Sequence, residues 1–229
     1  MDENNHNKQF ILIVASLASF ITAFMGSSIN IALPALGEEF QIDAVLLSWI
    51  STSYLLAAAI SLVPTGRLAD LYGRKKIFAY GIVIFTVATL ISGMSDSIPL
   101  LLFSRVLTGI GVGMVFGTSV AIVTSAFPIS ERGKAIGFTV SAVYLGLSMG
   151  PFIGGILTQN FGWRSIFFTS VLMGLVTTFV TMFIKGEWAE ARNEKMDYVG
   201  TIIYALSLSF AIYGFSVLPS LNGILFVLA

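Results

Sequence analysis

Cysteine is absent from the 229 residues, so disulfides and thiolate metal sites are excluded. Histidine occurs once, as His6 in a polar stretch where solvent is its expected surrounding. Charge is scarce: Asp, Glu, Lys and Arg make up 10% of the chain, against about 25% in soluble domains. Water is therefore not the main solvent. The 12 basic and 12 acidic residues cancel, which removes the basic field that a nucleic-acid partner requires. Long polar stretches are missing too. No connection between apolar runs exceeds about a dozen residues, which leaves no room for a soluble catalytic or regulatory domain.

What is present is apolar: 56% of the residues are hydrophobic. Apolar runs recur along the whole chain, each long enough to cross a hydrocarbon core of roughly 30 Å as a helix. The short alternating segments of a β-barrel do not appear. The expected fold class is an all-α polytopic membrane protein. Cutting at polar clusters predicts spans near Phe10–Leu33, Val45–Thr65, Ile77–Met94, Ile98–Val123, Ala135–Leu157, Ile166–Ile184 and Tyr198–Leu218. Pro219, Ser220, Leu221 and Asn222 form a turn signal. Gly223–Ala229 then starts an eighth apolar run, far short of the roughly 20 residues that a span needs. The chain is thus expected to stop inside a helix. Asp2 and Glu3 precede Lys8, and the first apolar run is longer than a signal-peptide core, so the first span is expected to stay uncleaved. The implied division is a tail over 1–9, a six-span bundle over 10–185, a linker over 186–197, and over 198–229 the seventh span with the truncated start of an eighth.

Orientation follows from the basic residues, which are enriched in cytoplasmic loops. Lys8 lies in the tail, Arg67, Arg74, Lys75 and Lys76 follow span two, Arg132 and Lys134 follow span four, and Lys185, Arg192 and Lys195 follow span six. All of these share one side. The other side holds Arg164 with the acidic Glu38, Glu39, Asp43 and Asp96, while Arg105 falls within span four. A multi-pass protein of the cell membrane with a cytoplasmic amino terminus is expected.

The strongest local signal is Gly66-Arg67-Leu68-Ala69-Asp70-Leu71-Tyr72-Gly73-Arg74-Lys75-Lys76, between spans two and three. Glycine permits a tight turn, and Asp70 and Arg74, four apart, meet on a short helical turn. A positive-inside anchor accounts for the basic residues but not for the acid or the glycine spacing. The segment resembles the G-x-L-A-D-x-x-G-R-[RK] signature loop of the major facilitator superfamily. That resemblance implies a loop at the cytoplasmic junction of two halves, with Gly66, Asp70, Gly73 and Arg74 as conformational gate residues acting against a helix of the C-terminal half.

Other segments extend the likeness. Arg105-Val106-Leu107-Thr108-Gly109-Ile110-Gly111 resembles the R-x-x-Q-G-x-G motif of drug:proton antiporters, with Thr108 where glutamine is usual. Arg105 sits about 7 residues, roughly 10 Å, inside the outer helix end. It either snorkels to the interface or lines an aqueous cavity, since a charge at that depth is costly without partners. Gly109, Gly113 and Gly117 form a small-residue stripe on span four that suits close helix packing. In span five, Gly146, Gly150, Pro151, Gly154 and Gly155 match the antiporter signature G-x-x-x-G-P-x-x-G-G. Pro151 interrupts the backbone ladder there and offers a pivot. The end of span one, through Asn30 to Pro34, resembles L-D-x-T-I-V-N-V-A-L-P, with Met25 at the aspartate position. None of the 12 acids falls inside a span. Asn30 lies at a depth similar to Arg105, where it makes an ordinary interhelical contact or shares a hydrogen bond with that arginine. Trp163-Arg164-Ser165-Ile166-Phe167 resembles the W-R-x-I-F segment and has the makings of an interfacial anchor.

Only about a dozen residues separate span six from Asp197-Tyr198-x-Gly200, which opens another span. This resembles the inserted hairpin of the fourteen-span drug:proton antiporters of the multidrug efflux type. The resemblance implies the superfamily's N-terminal six-helix bundle plus the start of that hairpin. It further implies secondary transport by alternating access, as proton-coupled efflux of drugs or other amphipathic small molecules. Small-molecule substrate, protons and the lipid bilayer are the expected partners, together with a missing C-terminal half or a second chain. No cofactor, metal or nucleic acid is expected. A non-transporting membrane subunit or scaffold on the same bundle is the alternative. A pore lacks a selectivity constriction, and an enzyme lacks paired titratable groups in the spans.

Overall fold

The computed structural model describes residues 2–189, 191, 194 and 196–216. Among them are seven helices and no strand: α1 (Asp2–Phe40), α2 (Ala44–Tyr72), α3 (Arg74–Gly93), α4 (Ile98–Ala126), α5 (Ile129–Phe161), α6 (Arg164–Thr181) and α7 (Tyr198–Ser216). The all-α class expected from hydropathy is what the chain adopts. Six helices, α1 to α6, are long and apolar enough to cross a membrane. In α7 the stretch Tyr198–Gly214 is apolar and shorter. The expected turn at 219–222 and the eighth run over 223–229 lie outside the described residues.

Helix ends differ from the hydropathy cuts, because backbone hydrogen bonding does not stop where lipid does. The 39 residues of α1 begin within the expected polar tail and continue through Pro34. Its first turns are tied to the bundle: Asn7 Nδ2 donates to the Lys185 carbonyl at 2.9 Å, Lys185 N–H returns a bond to Asn7 Oδ1 at 2.8 Å, and Lys8 pairs with Glu131 at 3.2 Å. Caps follow side-chain chemistry. Asp43 accepts the Leu46 N–H at 2.7 Å to start α2, and Asp197 accepts the Gly200 N–H at 2.8 Å to start α7.

Packing pairs α1 with α5 and α2 with α4, and sets α3 against α4 and α6. Exchanging α1–α3 for α4–α6 maps the first of these pairs onto the second, the pattern of a three-plus-three repeat. Both seams are closed by small residues. On α4, a Cβ at Gly113 would overlap the Ser61 side chain and lie 2.8 Å from the Ala58 carbonyl of α2, while one at Gly117 would lie 2.8 Å from the Leu62 carbonyl. On α5, Cβ atoms at Gly146 and Gly154 would come within 2.5 Å of the Phe20 carbonyl and 2.9 Å of Ser28 Cβ on α1. Gly155 is different, with Ile31 as its nearest neighbour at 3.8 Å. α2 and α5 keep the least buried faces of the six long helices, with Leu55, Phe138, Tyr144 and Phe152 exposed.

Gly113→Val is expected to destabilise the bundle by about 1–3 kcal/mol, as over-packing does, whereas Gly155→Ala should stay within about 0.5 kcal/mol of the parent. Reversible unfolding in mixed micelles measures both. Equal losses in the two variants would show that the α2/α4 seam is not closely packed.

Candidate functional site

The signature segment is mostly helix rather than loop. Gly66 to Tyr72 form the last turns of α2, and the chain breaks only at Gly73, where φ is 123°. That angle belongs to glycine, since a Cβ would strain the backbone there. The expected loop is corrected in this respect, because i,i+4 hydrogen bonding runs through Asp70 up to the Gly73 N–H, which donates to the Ala69 carbonyl at 2.8 Å. Directly beyond, Arg74 starts α3. Its Nε and NH2 lie 2.9 and 2.8 Å from Asp70 Oδ1, and its NH1 donates to Ser125 Oγ of α4 at 2.6 Å. One largely buried guanidinium thus clasps α2, α3 and α4 at the basic end of the bundle. Ser125 carried no signal in the sequence. Gly66 faces the Gly117 carbonyl, 3.4 Å from where its Cβ would sit.

Arg105 is fully buried and does not snorkel. Its Nε donates to the Ile50 carbonyl at 3.1 Å, and its guanidinium carbon lies 4.2 Å from the centre of the Tyr54 ring. Tyr54 is held in turn by its hydroxyl, which donates to the Thr22 carbonyl at 2.9 Å. NH1 and NH2 of Arg105 have no hydrogen-bond partner among the described residues. A cation–π contact offsets part of the desolvation of a guanidinium but satisfies none of its outer N–H donors. Asn30 is not brought to Arg105. It is exposed, and its Oδ1 accepts the Ser51 hydroxyl at 2.8 Å. Met25, at the position of the family acid, is buried against α6, where Ser170 Oγ lies 3.4 Å from its sulfur. Among the described acids none is buried.

A cavity of about 740 Å³ opens between α2, α4 and α7. Trp49, Leu56, Ile60, Leu102, Val106 and Ile110 supply most of its wall, with Ser53, Ser61 and Thr65 as the polar exceptions on α2. Leu102 and Val106 flank Arg105 in sequence, but the arginine itself does not reach the wall. α7 closes one side through Thr201 and Ala205, held by a bond from the Tyr204 hydroxyl to the Ala59 carbonyl at 3.0 Å. On the α1/α5 seam, Ser27 Oγ donates to the Gly146 carbonyl at 3.2 Å. α5 runs through Pro151, whose ring has no N–H for the Leu147 carbonyl. Among the described residues no three His, Asp or Glu side chains gather as a metal would need.

Trp163 and Arg164 do more than mark an interface. The Trp163 indole is buried and donates to Glu39 Oε2 at 2.6 Å, while Arg164 NH1 pairs with Glu39 Oε1 at 2.7 Å and NH2 donates to the Ser95 carbonyl at 3.0 Å. The ends of α1, α3 and α6 are joined there. Sequence reasoning missed Glu39 because α1 continues past Pro34 to carry it.

The profile described as Major Facilitator Superfamily matches residues 15–229. The chain is 32% identical over 199 residues to the riboflavin transporter RibZ of Clostridioides difficile, covering 86% of this chain and 44% of that protein. It is 31% identical over 210 residues to the multidrug resistance protein Stp of Mycobacterium tuberculosis, covering 91% of this chain and 39% of that one. The chain therefore spans less than half the length of these relatives. In fold it is similar to a bacterial homologue of the human lysosomal transporter Spinster, solved in an inward-facing, unoccupied conformation. The TM-score is 0.69 at 19% identity, over 91% of this chain and 53% of that one.

Replacing a buried, partly satisfied charge with an apolar side chain of similar length is often neutral or stabilising by about 1–4 kcal/mol. Arg105→Met is accordingly expected to be at least as stable as the parent in micelle unfolding. A loss above about 3 kcal/mol would show that NH1 and NH2 are satisfied in the membrane, because breaking a buried pair costs that much.

Proposed function

The chain belongs to the major facilitator superfamily, and on that premise we propose that it forms the N-terminal part of a secondary active transporter that exports amphipathic small molecules in exchange for protons. The observation that carries this reading is the clasp at Gly73, where Asp70 and Arg74 meet at the basic end on a matched superfamily profile. We place that end in the cytoplasm, by the excess of basic residues, and the bundle in the cell membrane. Alternating access needs one half to rock against another. The uncovered apolar faces of α2 and α5 are what a C-terminal half, or a second chain, would cover. Gly66, Asp70, Gly73 and Arg74 act as the gate at that junction, and Pro151 with Gly146, Gly150, Gly154 and Gly155 provides the pivot.

The cavity wall of Trp, Leu and Ile favours a sizeable apolar body, and similarity to a riboflavin transporter and a multidrug resistance protein fits a substrate of that kind. Protons require an acid that can be buried, and none of the described acids is buried. The proton-carrying carboxylate is therefore assigned to the other half, and Asn30 and Arg105, which stand outside the wall of this cavity, are assigned to coupling. The division into bundle, linker and inserted hairpin follows the fourteen-span branch, with α7 as the first helix of the hairpin leaning on α2. Met25 is the observation that favours the alternative, a membrane subunit or scaffold without transport.

In inverted vesicles containing the complete transporter, uptake of a fluorescent amphipathic dye is expected to need a proton gradient. Asp70→Asn should slow it about tenfold, equivalent to about 1.4 kcal/mol in the barrier to switching. Parent-like uptake in Asp70→Asn would remove the gate role, and uptake indifferent to the gradient would remove the proton.

A further inference from the structure

The segment that follows α6 does not hang free of the gate. It turns back at Gly186, where φ is 92°, and lies along the Gly73 turn. Lys75 Nζ donates to the Ile184 carbonyl, Arg74 N–H to the Trp188 carbonyl at 2.8 Å, and Lys75 N–H to Glu187 Oε1 at 2.9 Å. Further on, Ala191 N–H donates to the Asp70 carbonyl at 3.0 Å, and Arg67 pairs with Glu194 at 2.6 Å. The contacts alternate along the whole signature segment, from Arg67 to Lys75.

The chemistry of the turn explains why a partner is needed there. The first amides of a helix have no acceptor within the helix, and a side chain at the N-cap normally supplies one. The N-cap of α3 is Gly73, which has no side chain to offer. A carboxylate is also the favoured charge at a helix N-terminus. Glu187 provides both from a remote part of the chain, and it occupies the space that a side chain at position 73 would take: a Cβ there would lie 2.5 Å from Glu187 Cδ and 2.6 Å from Oε1. Gly73 is thus needed twice, for its backbone angle and for the room it leaves.

On the transporter reading above, we propose that Glu187 is a positioning residue of the gate: through the strap formed by Ile184, Glu187, Trp188, Ala191 and Glu194 it holds the Gly73 turn, and with it the Asp70–Arg74 pair, in register. No substrate contact is assigned to Glu187.

The test is amide hydrogen exchange at Arg74 and Lys75 in the complete transporter in lipid nanodiscs, set beside its rate of dye transport. Both amides are expected to be protected in the parent. Glu187→Ala should speed their exchange about tenfold, the scale of a hydrogen bond to a charged group. Glu187→Gln, which keeps an acceptor oxygen, should restore most of the protection and near-parental transport, whereas Glu187→Ala should slow transport at least threefold. Asp70→Asn leaves both amide acceptors in place and should leave their exchange unchanged. Fast exchange in the parent, or Glu187→Ala indistinguishable from it in exchange or in transport, overturns the positioning role. Transport unchanged in Asp70→Asn alone, with exchange as expected, sinks the gate assignment instead and leaves Glu187 as the residue that orders the turn.

Discussion

Close backbone approach between helices is the constraint on which this bundle depends. In lipid there is little hydrophobic gain from bringing apolar helices together, so contact distance and van der Waals packing carry the association. The α1/α5 and α2/α4 seams reach that distance because Gly146, Gly150 and Gly154 on one side, and Gly109, Gly113 and Gly117 on the other, present backbone where other residues would present side chains. Everything placed on α1, α2, α4 and α5 inherits its position from these two seams. Tyr54 of α2 stacks on Arg105 only because Gly109 lets α4 come against the Tyr54 carbonyl.

The two ends of the bundle are closed by different chemistry. At the end carrying Glu39, Trp163 and Arg164, the acid binds the core-packed indole and the arginine, and the arginine reaches Ser95, so three helix ends are joined. At the basic end Arg74 does the corresponding work, with α2, α3 and α4 as its three partners. The difference lies in what surrounds each group. Glu39 joins helix ends directly, whereas the Arg74 clasp borders a glycine turn and the segment that follows α6. A gate is better placed at the second than at the first.

Between these ends the interior is almost without charge. Arg105 is the exception: it is fully buried beside buried hydroxyls that carry no charge, and its outer N–H groups have no partner among the described residues. Met25, where the resembled antiporter segment has aspartate, fills the space between α1 and α6 with polarizable, uncharged volume.

Hydropathy and the spacing of glycines determined the fold class, the order of the long helices and the pairing of Asp70 with Arg74, because each depends on residues near one another in the chain or on a period of 3.6. The same sequence placed the signature segment in a loop and left Asn30 either in an ordinary interhelical contact or bonded to Arg105. The structure instead runs α2 through Asp70 and gives Asn30 to Ser51. Hydropathy responds to the boundary of lipid and not to the continuation of backbone hydrogen bonds, which is why α1 and α2 outran their expected ends, and why α1 carried Glu39 onto Trp163. Ser125, Glu187 and Trp188 were illegible for a different reason. A serine in the last turn of α4, and an acid and a tryptophan in the connection after α6, carry no periodic signal, and their meaning arises only when chain segments 51 and 112 residues distant meet at one glycine turn. The sequence by itself determined the six segments, α1 to α6, that are long and apolar enough to cross a membrane, and which faces can pack closely. Which remote groups satisfy the amides and the guanidinium at that turn was decided by tertiary structure alone, since hydrogen-bond partners across helices are chosen by proximity in space.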